Sequence, residues 1–273
     1  MLKEILGKVK TWGRQLGKLH IPVYAANASF FVILAVFPAL LLLLGLLQYT
    51  GLDVNRLADL LESFLPQALV PSAHRMILNT YYNSTGALLS VSAVVALWSA
   101  GRGLHGLMRG LNQVYGVEET RGFFATRGLS ICYTLAFLAV LLLTLFLEIF
   151  ESVFLLLQSQ GVLGKFITEV LDWRGLVLLA IQTAVFTAMY VALPNRKNKI
   201  KTSIPGGLMA SLGWMIFSRL YSVYMERFSS YSNIYGSVYG VALSMLWLFC
   251  CMNIVLYGGL LNRVLEERIK NKT

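Results

Sequence analysis

Between His20 and Asp53 the chain carries no aspartate, glutamate, lysine or arginine, and the run includes the stretch LLLLGLL. Few environments accept so long an apolar segment. A helix needs roughly 20 apolar residues to cross about 30 Å of hydrocarbon, and this run exceeds that. Similar charge-free stretches cover 76–101, 128–147 and 175–195, then from 202 onward with Arg219 as the interruption, and finally 228–262. In lipid every backbone N–H and C=O must find an internal partner, so these segments are expected to be helices. A transmembrane barrel would alternate apolar and polar residues instead. The reading is an all-α, polytopic membrane helix bundle forming one integral membrane domain over 1–273. Six spans are expected, at about 25–49, 86–100, 128–148, 175–194, 205–225 and 236–262.

Composition agrees. The chain is 57% hydrophobic and 13% charged, whereas soluble domains carry about 25% charged residues. Its net charge of +10 would point to nucleic acid in a soluble protein, but the cations are distributed as topology signals. With the N-terminus inside, segments 1–23, 101–127, 194–204 and 263–273 hold 17 basic residues against five in the outer loops. That asymmetry places both termini in the cytoplasm. No nucleic-acid partner is expected; membrane lipids are.

Three shorter stretches read as interfacial helices. Residues 1–20 gather Leu2, Ile5, Leu6, Val9, Trp12, Leu16 and Leu19 on one stripe, with lysines and Arg14 outside it. Such a helix lies on an anionic inner leaflet, and it is not the short apolar core of a cleavable signal. Leu104, Leu107, Met108, Leu111, Val114 and Tyr115 give a second stripe, expected to lie on the inner surface after span two. Leu57, Leu60, Leu61, Phe64 and Leu65 give a third, on the outside.

Chemistry-bearing residues are sparse. Cys132, Cys250 and Cys251 sit in apolar stretches without metal-ligand spacing, and His20, His74 and His105 are dispersed. No metal, cofactor, catalytic dyad or enzymatic activity is expected. Arg219 is the sharpest feature. An arginine near a helix centre costs about 2.5–3.5 kcal/mol on insertion scales, so it should face protein or water. Ser218, Ser222 and Glu226 share its face, and Glu148 and Glu151 end span three at similar depth. These residues would line a polar substrate cavity for an anionic or zwitterionic group; a purely structural Arg–Glu pair is the competing reading. Arg102, Arg109, Arg121 and Arg127 would hold phosphates of lipid headgroups, or serve only to orient the chain. Gly101-x-Gly103-x-x-Gly106 matches a dinucleotide fingerprint but follows a membrane helix rather than a strand. Small residues at four-residue spacing (Ser92, Ala96 and Ala100; Gly236, Gly240 and Ser244) read as close helix-packing faces. Pro38 in span one and Pro205 at the start of span five free backbone carbonyls or mark a helix entry, and Pro38 reads as a static kink or a gating hinge. Whether the chain is a monomer or a homo-oligomer is not encoded in any of these features.

The segments SFFVILAVFPALLLL, LWSAGRGLHGLMRGLNQVYGVEETR, LPN, PGGLMASLGW, YGSVYGVALSMLWLF and YGGLLN together resemble the YihY/BrkB family of bacterial inner-membrane proteins. The likeness extends from about Ala25 to Asn262. Matching positions are Pro38, Trp98, Arg102, Asn112, Tyr115, Arg121, Pro205, Gly206, Tyr235, Gly236 and Asn262. The resemblance implies six spans in a bacterial cytoplasmic membrane. It also brings the family's old label of ribonuclease BN, which conflicts with the absence of clustered His and Asp ligands that a metal-dependent nuclease needs. Movement of lipids, amphiphiles or small zwitterionic solutes is the function it implies; the rival is a non-transporting envelope-assembly or scaffold protein, and a membrane-embedded enzyme comes third.

Overall fold

The computed structural model describes residues 17–47, 78–122, 124–133, 174–227 and 232–271. All the regular structure in them is helical. In chain order these are α1 (Ile21–Leu47), α2 (78–83), α3 (Gly86–Tyr115), α4 (124–133), α5 (Arg174–Ala192), α6 (Ile200–Arg227) and α7 (Ser232–Lys270). Helices α1, α3, α5 and α7 each contain a stretch long and apolar enough to cross a membrane. The interfacial stripes expected at 2–19 and 57–65, the far half of span three, Glu148 and Glu151 lie outside the described residues, apart from the last few residues of the first stripe.

Local sequence explains the boundaries. His20 takes a left-handed conformation (φ 48°) and breaks the chain before α1. Pro22 then sits in the first turn, where a missing N–H is harmless. Thr85 caps α3 by accepting from the Leu88 N–H at 3.2 Å. Gly116 ends it at φ 66°, its N–H returning to the carbonyls of Asn112 and Gln113. That left-handed cap requires glycine for conformational reasons.

Span two therefore differs from expectation. It does not stop near Ala100 to be followed by a surface helix; α3 is one 30-residue helix, about 45 Å long, running through to Tyr115. Leu107, Met108, Leu111 and Val114 are 2% exposed or less. They face α1 and α7 rather than lipid headgroups. Gly103 and Gly106 lie against Ala28, Val32 and Asn27 of α1, and Gly110 lies between Tyr24 and Leu256. An apolar stripe reports that one face is dry, not whether lipid or protein dries it.

The contacts also fix direction. Residues 24 to 32 of α1 meet residues 110 down to 103 of α3, so these helices are antiparallel. Leu256 and Gly259 follow Gly110 and Leu111 in the same sense, so α3 and α7 are parallel. Helices α6 and α7 run oppositely, from Gly206 beside Asn262 to Tyr221 bonded to the Leu243 carbonyl. Helix α7 packs on α6, α1 and α3, and α5 packs on α6. One end of the bundle thus gathers the start of α1, the end of α3, the α5–α6 turn and the end of α7. Most of the described cations cluster there.

Of the two readings of Pro205, the structure takes the first: α6 begins at Ile200, which puts this proline inside the helix. A proline interrupts the backbone ladder, and in a membrane helix neighbouring groups must satisfy what it frees. The carbonyl that Pro205 frees is that of Lys201, in the exposed first turn of the helix; Asn262 of α7 braces the backbone on either side of the proline. Its Oδ1 accepts from the Gly206 N–H at 2.7 Å and its Nδ2 donates to the Ser203 carbonyl at 3.1 Å, all buried.

Candidate functional site

Two polar assemblies grow out of this packing. The first is a network that ties the basic end together. The α3–α4 loop, 116–122, folds back so that the Glu119 carboxylate accepts from Asn112 Nδ2 (2.8 Å) and from Arg121 Nε and Nη2 (2.8 Å each). The Arg121 backbone N–H adds a fourth bond at 3.1 Å. Arg121 also donates to the Leu193 carbonyl at the end of α5, at 2.7 Å. Asn195 completes the junction: its N–H donates to Asn112 Oδ1, and its Nδ2 donates to the Glu118 carbonyl and Thr120 Oγ1. The Arg121 side chain foremost, and then its N–H and Asn112, hold the Glu119 carboxyl down at about 2 against the opposing effect of partial burial. The same pair pushes Arg121 upward.

Arg196 extends the network toward α7. Its guanidinium pairs with Glu266 and stacks on the Tyr115 ring, 4.7 Å from the centroid. Arg263 donates to the Val114 carbonyl at 2.7 Å and pairs with Glu267. Tyr190, wholly buried, donates to the Val255 carbonyl at 2.6 Å. Of the four headgroup arginines, Arg121 is therefore committed to a carboxylate. Its contacts make it a structural clamp.

The second assembly is a polar stripe on the opposite face of α3. Arg102, His105, Arg109 and Gln113 recur at three- and four-residue spacing, which places them on one side of the helix. Arg102, Arg109 and Gln113 are exposed and His105 partly so. Arg102 stacks on Trp98 (4.9 Å) and Phe31 (5.3 Å). Arg127 of α4 donates to the Trp98 carbonyl at 3.0 Å and lies beside Gly101. Among the described residues no carboxylate lies within ion-pair distance of Arg102, Arg109 or Arg127. His105 and Gln113 belong to this row although neither residue type announced it; the three- and four-residue polar spacing over 102–113 was the available signal.

The other site expectations distribute differently. Arg219 is exposed on α6, and no described carboxylate pairs with it. Ser218 beside it accepts from Trp247 Nε1 at 3.2 Å, and Ser222 is exposed on the same helix. Glu226 falls in the last turn of α6. Of the packing faces, Ser92 and Ala96 are buried as a packing face requires. The close approach expected at Gly240 and Ser244 is not present among the described residues: nothing lies within 4 Å of a Cβ placed on Gly240, and Ser244 is exposed. Gly236 lies near the start of α7, and Pro38 within α1. The tight crossing occurs instead at Gly206 and Gly258, where a Cβ on Gly206 would overlap the Gly258 carbonyl oxygen and the Asn262 side chain. No group of three His, Cys, Asp or Glu side chains that could hold a metal occurs among the described residues.

Long apolar helices around a shared core, with most of the described cations collected at one end, define a multi-pass α-helical membrane protein. The family model described as Virulence factor BrkB matches residues 13–273, and the chain belongs to that family. It is similar to the putative ribonuclease-like protein YfkH of Bacillus subtilis, with 33% identity over 248 residues, 90% of each chain. It is also similar to the UPF0761 membrane protein VV0203 of Vibrio vulnificus, with 23% identity over 254 residues, 91% of this chain and 79% of the relative. A third relative is the UPF0761 membrane protein azo3165 of Azoarcus, with 24% identity over 284 residues, 95% of this chain and 64% of the relative. No solved structure matches.

Proposed function

We propose that this protein is a transporter-like membrane protein that moves an amphiphile with an anionic or zwitterionic headgroup across the bilayer, and that the headgroup travels along the polar stripe of α3. The observation that carries this is the row of Arg102, Arg109 and Arg127 with no carboxylate at ion-pair distance among the described residues. A bare guanidinium facing hydrocarbon costs about 2.5–3.5 kcal/mol, and an anionic phosphate with its shell of water offsets that cost. Stacking on Trp98 and Phe31 holds Arg102 outward in a fixed pose, and planar guanidinium forks suit phosphate oxygens. The Arg219 face of α6, with Ser218, Ser222 and Glu226, is a second polar path to which the same reasoning applies.

The spans number six in this reading: α6 is the fifth, its hydropathy lowered by Lys201 and Arg219, and α4 opens the third. Both termini face the cytoplasm, supported by 17 basic residues against five. A tail label that reacts with an impermeant reagent on intact cells refutes that orientation. Among the described residues no group of three His, Cys, Asp or Glu side chains converges to support the ribonuclease-like wording in the name of the Bacillus relative.

The test is reconstitution in liposomes, with lipid scrambling and osmolyte flux measured for wild type, Arg102→Ala, Arg127→Ala and Arg219→Ala. Scrambling above protein-free background that falls in the arginine variants supports the proposal. Background rates for wild type in both assays refute it. A second reading, a static envelope scaffold, is favoured by the dense bonding of the basic end, and those background rates are what it expects.

A further inference from the structure

On the surface of the α6–α7 pair runs a groove of about 400 Å³ whose lining includes Met209, Tyr257, Leu261, Val264, Leu265 and Arg268. Its α7 members recur every three or four residues, so they form one stripe about 16 Å long from Tyr257 to Arg268. Five of these six side chains are largely apolar, and the sixth is a cation at the end nearest the basic surface. The neighbouring cations are engaged: Arg263 pairs with Glu267, Lys270 with Glu266, and Arg196 with Glu266. Arg268 is exposed, and no described carboxylate reaches it.

We propose that this groove is a binding site for one anionic phospholipid of the leaflet at the basic end, with an acyl chain along Tyr257–Leu265 and the phosphate on Arg268. With the inner end of this span expected near Asn262, Tyr257 and Leu261 meet the part of an acyl chain nearest the surface, and Arg268, whose side chain leans back toward the membrane, meets the phosphate. Charge decides against a second copy of the chain. An isologous contact through this face would bring two identical Arg268 side chains and two basic helix ends together, with no acidic patch on the face to match them. A negatively charged headgroup meets that cation instead. The site lies on helices other than the α3–α4 stripe and does not depend on transport.

The experiment uses the full chain in detergent, delipidated and then titrated with phosphatidylglycerol, phosphatidylcholine or inorganic phosphate, with bound lipid counted by native mass spectrometry. Wild type should retain phosphatidylglycerol over phosphatidylcholine. Arg268→Ala should weaken phosphatidylglycerol retention about fivefold without affecting phosphatidylcholine, the usual contribution of one cation near a membrane surface. Leu261→Trp, which fills the groove, should reduce retention of both lipids while helix content stays constant. Lys199→Ala, an exposed cation outside the groove, should change nothing. Equal retention of the two lipids by wild type overturns the proposal. So does Arg268→Ala retaining phosphatidylglycerol like wild type, binding of phosphate alone with the same Arg268 dependence, or a dimer that Leu261→Trp dissociates.

Discussion

The crossing of α6 and α7 at Gly206 and Gly258 makes a prediction whose size follows from the contacts. A methyl group on Gly206 has nowhere to go, because it meets the backbone oxygen of Gly258 rather than the tip of a flexible side chain. Restoring van der Waals spacing requires the helices to separate by roughly 1 Å. That displacement stretches the 2.7 Å bond from the Gly206 N–H to Asn262 beyond hydrogen-bonding range. Overpacking of this kind costs about 1–3 kcal/mol, and stranding a buried donor about 1–3 kcal/mol more. Gly206→Ala should therefore destabilise the protein by about 2–6 kcal/mol. Gly240→Ala is the matched control: it lies in α7 with open space around it, and alanine exceeds glycine in helix propensity by up to about 1 kcal/mol. The assay is thermal unfolding of the detergent-purified protein, followed by the monodisperse fraction remaining on size-exclusion chromatography. The Gly206 variant should melt well below wild type and the Gly240 variant at or above it. Equal melting temperatures for both variants would refute the close-crossing argument.

Further expectations concern the basic end and the stripe. Glu119→Gln should cost about 1–2 kcal/mol near neutral pH, since it weakens a partly buried, multiply bonded ion pair that solvent still screens. Because the folded-state value of Glu119 lies at about 2, below the ordinary 4.5, its contribution is complete above about pH 4.5 and disappears as pH falls toward about 2. Melting curves across that window should show wild type losing its advantage over Glu119→Gln; a constant gap would contradict the pair's assignment. Asn112→Ala removes the hub joining the 116–122 loop to Asn195, so tryptic cleavage at Arg121 should accelerate in the otherwise folded protein. An unchanged cleavage rate would show that the loop is held by other means. Arg102→Lys keeps the charge of the α3 stripe but loses the planar stack on Trp98 and the guanidinium fork, and in the liposome assay it should scramble more slowly than wild type yet faster than Arg102→Ala.

Much of the membrane architecture was legible in the primary structure because hydropathy is a local property. The charge-free run after His20 contains α1, and the one at 175–195 contains all of α5 except its first residue. Family membership was legible for a related reason: the segments around Trp98, Asn112 and Gly206 are distinctive strings. What those strings do was not legible. Asn112, Glu119, Arg121 and Asn195 are spread over more than eighty residues, and only the folding back of the α3–α4 loop brings one carboxylate within reach of both Asn112 and Arg121.

The hydrocarbon environment, the helices and the clustering of cations were thus determined by the order of residues alone, since each depends on what a segment contains. Which face of a helix meets which neighbour depends on two segments at once. Only the tertiary structure turned Leu104–Tyr115 from a surface stripe into the core, and only it revealed the close crossing at Gly206 and Gly258. A dry face satisfies the same periodicity against lipid as against protein, and a glycine becomes a contact point only when another backbone arrives beside it.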